Sequence, residues 1–122
     1  MPNKSFNRKK GALGEVIAVR FLKLNGYEIL ECNWHYSVNA EIDIVAKDGK
    51  ELVFVEVKTR SSSNYGHPFE AVNSKKIERM QMAAFAYIEK NALHDMEYRF
   101  DVDGILNPKN PTIEHLKGIS LD

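Results

Sequence analysis

The chain has 122 residues, the size of a single domain, and its balance of 43% hydrophobic to 28% charged residues argues against intrinsic disorder. The 17 basic and 17 acidic residues cancel, so the total charge does not indicate a polyanionic partner. A single cysteine excludes an internal disulfide and a cysteine-rich zinc site, and with no apolar run long enough for a membrane span or signal peptide, the composition favours a cytoplasmic location and no membrane partner.

The predicted elements follow an αβββαβ order with one further short strand. Apolar residues at three- and four-residue spacing predict a first helix over 5–25, ended by Gly26, and Asn73 or Ser74 can cap a second helix that runs to about residue 91. Strands are predicted over 27–36, 41–46, 51–59, 98–106 and 112–116. Within the first strand, Cys32 and Trp34 are expected to pack toward the sheet core. The order predicts an α/β fold over residues 1–122, with a mixed central sheet flanked by helices.

The Asp48-Gly49 dipeptide predicts a hairpin that gathers charged side chains. If these two residues form the turn, Lys47 pairs with Lys50 and Asp43 lies opposite Phe54. Because side chains alternate along a strand, four charged residues then share one face of the sheet: Glu41, Asp43, Glu56 and Lys58. Asp43 and Glu56 become diagonal neighbours, with Cα atoms about 7 Å apart.

Two carboxylates at this spacing repel each other, and the apolar residues of the strand that carries Glu56 keep water away from them. A hard divalent cation such as Mg²⁺ or Mn²⁺ would offset that repulsion. The alternative to a metal site is a Glu–Lys pair at an exposed strand end, which is a common feature of protein surfaces. Glu15, on a helix row with small and apolar residues, is expected to point at the sheet and join the acids as a ligand or through a water. Its alternative is a helix cap or an ion pair with Lys10 or Arg8.

Three segments resemble the YraN family of small bacterial proteins: GALGEVIA (11–18), EIDIVA (41–46) and FVEVKTR (54–60). Residues 65–72 and 99–102 are similar to further blocks of that family. The family belongs to the PD-(D/E)XK nuclease superfamily, near the archaeal Holliday junction resolvases. The resemblance therefore implies a restriction-endonuclease-like domain with a metal-dependent nuclease site.

The resemblance also implies roles for individual residues. Asp43 and Glu56 would be metal ligands, and the carbonyl of Val57 would add a third contact. Lys58 would orient or deprotonate the attacking water and stabilise charge on the phosphate. Glu15 would correspond to the first-helix acid of the resolvase branch. Phosphodiester hydrolysis needs this combination, because a metal activates water and neutralises charge that develops on the phosphate.

Four cations flank the strand that carries Glu56 and are expected to bind phosphates: Arg60, Lys75, Lys76 and Arg79. The predicted function is a Mg²⁺- or Mn²⁺-dependent endonuclease acting on DNA, including branched or flapped structures, for which a homodimer would place two sites on two strands. The alternative is a non-catalytic nucleic-acid-binding or protein-interaction module of the same fold. Zero net charge favours the alternative, whereas a lysine beside two acids favours the enzyme.

Overall fold

The computed structural model describes residues 2–60 and 73–119, with the side chains of the first helix described from Ala12 onward. The elements are α1 (Pro2–Leu24), β1 (Glu28–Ser37), β2 (Ala40–Asp48), β3 (Glu51–Arg60), α2 (Ser74–Lys90), β4 (Tyr98–Leu106) and β5 (Thr112–Leu116). The predicted αβββαβ order and the final short strand are confirmed. One mixed sheet has the order β1-β2-β3-β4-β5, in which β3 and β4 are parallel and the other neighbours antiparallel. No helix within residues 2–60 and 73–119 combines the length and apolarity that a membrane crossing needs.

Local signals place the helix ends close to their predicted positions. At the end of α1, Gly26 has a φ of 88°, and the N–H of Tyr27 donates to the carbonyl of Leu22 at 3.0 Å. This is the Schellman arrangement, in which glycine takes the left-handed position without a Cβ penalty. At the start of α2, Asn73 Oδ1 accepts a hydrogen bond from the N–H of Lys76 at 3.0 Å. Asn73 is therefore the N-cap.

Each face of the sheet is covered by one helix. On one face, Phe54 and Leu52 pack with Met80 of α2 in a cluster that also contains Trp34, as expected for that tryptophan. On the opposite face, Val53 and Val55 pack with residues of α1. Because β3 is the central strand and is buried on both faces, it carries a continuous apolar run that ends at Glu56.

The strand β1 lies at the edge of the sheet and is mostly exposed. Trp34 is its one buried residue, and Cys32, expected to face the core, is exposed. The reason is that α1 covers the edge of the sheet incompletely. In addition, Asn33 has a φ of 54°, which disturbs the alternation of side chains next to Cys32.

The β2–β3 register differs from the prediction by two residues. The turn is formed by Gly49 and Lys50, so that Asp48 pairs with Glu51 and Lys47 with Leu52 instead of Lys50. Gly49 has a φ of 62° at the first turn position, where type II′ turns place glycine. Arg99 fixes both flanking acids, with Nη2 3.1 Å from Asp48 and Nη1 2.6 Å from Glu51. An even shift preserves the face of each side chain within the ladder, but Asp43 lies beyond the last ladder pair, Ile44–Val55.

Candidate active site

The site lies where β2 and β3 separate. The β2–β3 ladder runs from the turn as far as the pair Ile44–Val55. Beyond it, Asp43 Oδ2 accepts a hydrogen bond from the backbone N–H of Val57 at 2.8 Å. Ile42 packs in the α2 cluster and Ile44 in the α1 cluster, so regular alternation is interrupted at Asp43. The carboxylate of Asp43 therefore occupies the gap between the strands and takes the place of a ladder acceptor.

Glu56 is the acid at the buried end of this gap. Its side chain is only 4% exposed, and Oε1 lies 3.5 Å from Lys58 Nζ and 3.4 Å from Lys76 Nζ. Oε2 is buried and has no hydrogen-bond partner in the described part of the chain. Burial, with the nearby charge of Asp43 as the second cause, raises the pKa of Glu56 from 4.5 to about 7, although both lysines act in the opposite direction.

The same causes act on Asp43. Burial raises the pKa of Asp43, and the charge of Glu41 adds to this effect, while the hydrogen bond from Val57 and the charges of Lys76 and Lys58 oppose it. Two partly desolvated carboxylates therefore lie together with one oxygen unsatisfied. This arrangement favours a bound cation, because a cation would relieve both the repulsion and the unmet hydrogen-bonding demand.

Asp43 and Glu56 are the two side chains that could act as metal ligands at this site. Within residues 12–60 and 73–119, no three Asp, Glu, His or Cys side chains gather closely enough to hold a metal ion by themselves. A hard divalent cation at Asp43 and Glu56 would therefore complete its shell with a backbone carbonyl and waters, which is how Mg²⁺ is commonly bound.

Glu15 approaches the site from α1. Its Oε2 accepts a hydrogen bond from Asn33 Nδ2 at 2.9 Å. Partial burial raises the pKa of Glu15, with smaller contributions from the charges of Asp43 and Glu41. Its partner is thus an amide on β1, which the sequence did not predict, and the side chains of Lys10 and Arg8 lie outside the described residues. Glu15 therefore lies near enough to Asp43 for the two charges to interact, and its hydrogen-bond partner is Asn33 rather than an acid of the pair.

Close helix–sheet packing brings Glu15 to this position. A Cβ atom added at Gly14 would overlap Thr59 Oγ1, far inside van der Waals contact. Only glycine therefore lets this turn of α1 approach β3 so closely.

The four predicted phosphate ligands have different surroundings. Lys76 reaches Glu56 and belongs to the acid cluster. Arg60 Nη1 donates to the carbonyl of Thr59 at 3.2 Å, at the end of β3. Lys75 and Arg79 are exposed on the first turns of α2. Residues 65–72, one of the segments similar to the YraN family, lie outside the described residues.

Sequence reasoning missed a second charged cluster, on the α1 face of β4. Asp101 is fully buried and accepts hydrogen bonds from Arg99 Nε at 3.0 Å and Gly118 N at 3.0 Å, and its Oδ2 lies 2.6 Å from His115 Nε2. Burial acts to raise the pKa of Asp101, but the hydrogen bonds from His115 and Arg99 outweigh it and lower the pKa overall.

Asp103 is the second buried acid of this cluster, and neither of its carboxylate oxygens has a hydrogen-bond partner among the described residues. Burial raises its pKa to about 7, and His115 Nδ1 lies 3.0 Å from Oδ1 without hydrogen-bond geometry. The available signal was the spacing of Arg99, Asp101 and Asp103, which places three charged residues on one face of an otherwise apolar strand.

Comparison with known proteins identifies the family of the chain. The model of the uncharacterised protein family UPF0102 matches residues 14–105, a range that contains Glu15, Asp43, Glu56 and Lys58. A UPF0102 protein of Acetivibrio thermocellus is 45% identical over 119 residues, which covers 98% of this chain and 92% of that protein. A UPF0102 protein of Beutenbergia cavernae is 43% identical over 89% of this chain and 93% of its own length. A UPF0102 protein of Geotalea daltonii is 44% identical over 93% of this chain and 91% of its own length. The chain therefore belongs to the UPF0102 family, the YraN family that its sequence resembles.

Proposed function

We propose that this protein is a Mg²⁺- or Mn²⁺-dependent endonuclease that hydrolyses phosphodiester bonds in DNA. The observation that carries the proposal is the state of Glu56. It is buried at the end of the central strand beside a second acid, and two lysines contact one of its oxygens while the other oxygen has no partner. Perturbed acids that converge with cations at one site are typical of catalytic centres.

Asp101 is a buried acid of the same sheet whose hydrogen bonds are satisfied, and it serves as a comparison for Glu56. It is equally buried, but both of its oxygens have hydrogen-bond partners, and the net effect lowers its pKa. Glu56 has an unsatisfied oxygen and a raised pKa, which reduces the stability of the folded chain. Asp103 shares those two properties but lies beside His115 without a lysine or a second acid from a neighbouring strand. Among the described residues, only the Asp43–Glu56 pair combines an acid that has an unsatisfied oxygen with two ammonium groups.

The residues present fit a hard divalent cation. Asp43 and Glu56 would hold it, with the carbonyl of Val57 and water as further oxygen ligands. When bound, the ion would polarise a phosphate oxygen and lower the pKa of a coordinated water. The unpartnered Oε2 of Glu56 is the observation on which this fit rests.

The side chains of the protein supply the remaining functions. In the hydrolysis, the oxygen of water bonds to phosphorus and the water gives up a proton to the solvent. The bond from phosphorus to the leaving oxygen breaks, and the leaving oxygen receives a proton from the solvent. Lys58, whose Nζ lies 3.5 Å from Glu56, orients the attacking water and stabilises charge on the phosphate. Lys76 supplies a second positive charge from α2. Arg60, Lys75 and Arg79 hold the flanking phosphates in the proposed complex.

The proposal extends to branched or flapped DNA and to a homodimer that would place two sites on two strands. The runner-up function is a non-catalytic nucleic-acid-binding or protein-interaction module. It is favoured by the zero net charge, because duplex binding draws much of its affinity from neutralised phosphates.

The test is Mn²⁺ titration by calorimetry combined with cleavage of labelled linear and flapped DNA. Asp43→Asn and Glu56→Gln should abolish Mn²⁺ binding and reduce cleavage by about a hundredfold or more. Asp103→Asn is the matched control, because it neutralises another buried acid with a pKa of about 7 in the same sheet and should leave both readouts unchanged. Mn²⁺ binding without cleavage of any DNA would support the binding module instead. Equal Mn²⁺ affinities for the wild type and the Asp43 and Glu56 variants would overturn both metal-dependent functions.

A further inference from the structure

A groove runs between α1 and β1, and Glu15 contributes to its lining. It has a volume of about 600 Å³, within the range of small-ligand sites. Its walls are mostly apolar and include Val16, Val19 and Leu24 of α1, and the exposed thiol of Cys32 on β1 contributes to its lining. We call this surface the α1–β1 groove.

The apolar residues of the groove remain uncovered in the folded chain. Val16 is 56% exposed and Leu24 is 81% exposed, although α1 has a separate buried row that packs on the sheet. That row contains Ala18 and Leu22, which are fully buried. Val16 and Leu24 are therefore not needed for the core of the protein, and an uncovered apolar groove is typical of a binding surface.

Two cations line the same groove. Arg20 and Lys23 are exposed, and neither has an ion-pair partner among residues 12–60 and 73–119. An apolar surface beside two unpaired cations complements a ligand that is itself part apolar and part anionic. A nucleotide has this combination, with a flat base and a negatively charged phosphate.

Glu15 connects the groove with the proposed active site. Glu15 contributes to the lining of the groove, and the charges of Asp43 and Glu41 contribute to its raised pKa. A chain of nucleotides that enters the groove is thereby placed beside the acid pair. A base inside a duplex is stacked and paired and cannot enter a side groove, whereas an unpaired base can.

We propose that the α1–β1 groove binds an unpaired nucleotide, so that the substrates carry a single-stranded segment next to the phosphate that is cleaved. The groove walls contact the base, and Arg20 and Lys23 contact the adjoining phosphates. The link to cleavage rests on the proposed nuclease function, but the binding itself does not.

Cys32 provides a direct probe, because it is the single cysteine of the chain and lines the groove. The rate of its modification by a maleimide is measured on the full chain in EDTA, where a metal-dependent nuclease does not cut. A single-stranded decathymidylate at ten times its Kd should slow the modification roughly tenfold. A blunt duplex at the same phosphate concentration should change the rate less than about twofold, because its bases stay stacked.

Matched variants test which residues bind. Val16→Glu should weaken single-strand binding about tenfold, whereas Leu13→Glu, an exposed position on the same helix outside the groove lining, should not. Arg20→Glu should weaken it similarly, and Lys109→Glu, an exposed cation in the β4–β5 connection, should serve as the charge control. Circular dichroism confirms that each variant is folded.

The outcomes separate this inference from the nuclease proposal. Equal protection of Cys32 by single strand and duplex, no protection by either, or equal affinities for Val16→Glu and Leu13→Glu would overturn the groove assignment, even if Asp43-dependent cleavage is observed. A dimer that Val16→Glu dissolves would assign the groove to a second copy of the chain and would also overturn it. Selective protection by the single strand in EDTA, together with no cleavage of any DNA in a separate assay with Mn²⁺, would support the groove and overturn the nuclease proposal.

Discussion

Replacing Glu56 with glutamine should make the metal-free protein more stable than the wild type, and the difference should grow as the pH rises. The pKa of Glu56 is about 7 in the folded chain and 4.5 in the unfolded reference. Because the folded state holds this proton more tightly, the contribution of Glu56 to the free energy of unfolding is greatest below pH 4.5. This contribution is lost as the pH rises from 4.5 through 7. At 1.36 kcal/mol per pKa unit, the difference between 4.5 and about 7 corresponds to a loss of roughly 3 kcal/mol at pH 8. At pH 5 the loss is under about 1 kcal/mol, because this pH is only half a unit above the unfolded pKa of 4.5 and the folded state still holds its proton.

Glutamine is nearly the same size as glutamate and carries no charge, so it removes this loss. The measurement is urea unfolding of the wild type and of Glu56→Gln at pH 5 and pH 8 in EDTA. Relative to the wild type, the variant should gain about 2 kcal/mol more at pH 8 than at pH 5. Comparing the two proteins at each pH removes the contributions of titrating groups that do not interact with Glu56, Asp103 included.

A stability difference that is the same at both pH values would refute this reasoning. It would show that Glu56 ionises at an ordinary pKa and is therefore neither desolvated nor coupled to Asp43. A variant less stable than the wild type at pH 8 would show that the contacts with Lys58 and Lys76 outweigh the burial of the charge.

Three further predictions concern packing, the second cluster and metal binding. Gly14→Ala should destabilise the chain by about 2 kcal/mol in urea unfolding, because its Cβ overlaps Thr59 Oγ1, and Thr59→Ala in the same chain should restore most of the loss. Without that rescue, the close approach is not the cause. Arg99→Met should cost about 3 kcal/mol by the same assay, because it removes the guanidinium that pairs with buried Asp101, and a change below about 1 kcal/mol would contradict that assignment. Saturating Mn²⁺ should raise the Tm of the wild type by several degrees and leave Asp43→Asn unchanged, as followed by circular dichroism. Equal shifts in both proteins would place the ion elsewhere.

Much of the fold could be predicted because its determinants are local. Hydrophobic periodicity defined both helices, and Gly26 and Asn73 marked a helix end and a helix start that the structure confirms. The apolar run before Glu56 indicated a central strand, which β3 is. The hairpin between β2 and β3 brings Asp43 near Glu56, but the interruption of side-chain alternation at Asp43 could not be predicted from strand periodicity.

The remaining features depend on contacts between distant residues. The turn position is decided by the positive φ of Gly49 and by Arg99, which lies about fifty residues away in the sequence. The pairing of Lys76 with Glu56 requires knowing how α2 lies on the sheet. The contact of Asn33 with Glu15 depends on an irregular edge strand. No local pattern in the sequence specifies any of these contacts.

The most direct test of the proposed catalytic centre is anomalous diffraction from a crystal of the full chain soaked in Mn²⁺. The predicted result is one peak between the carboxylates of Asp43 and Glu56, with both at about 2.1 Å, the distance typical of small divalent cations. The same soak of the Glu56→Gln variant should show no peak there. A wild-type map without density between these two acids, or with Mn²⁺ bound only at another site, would contradict the proposed metal centre.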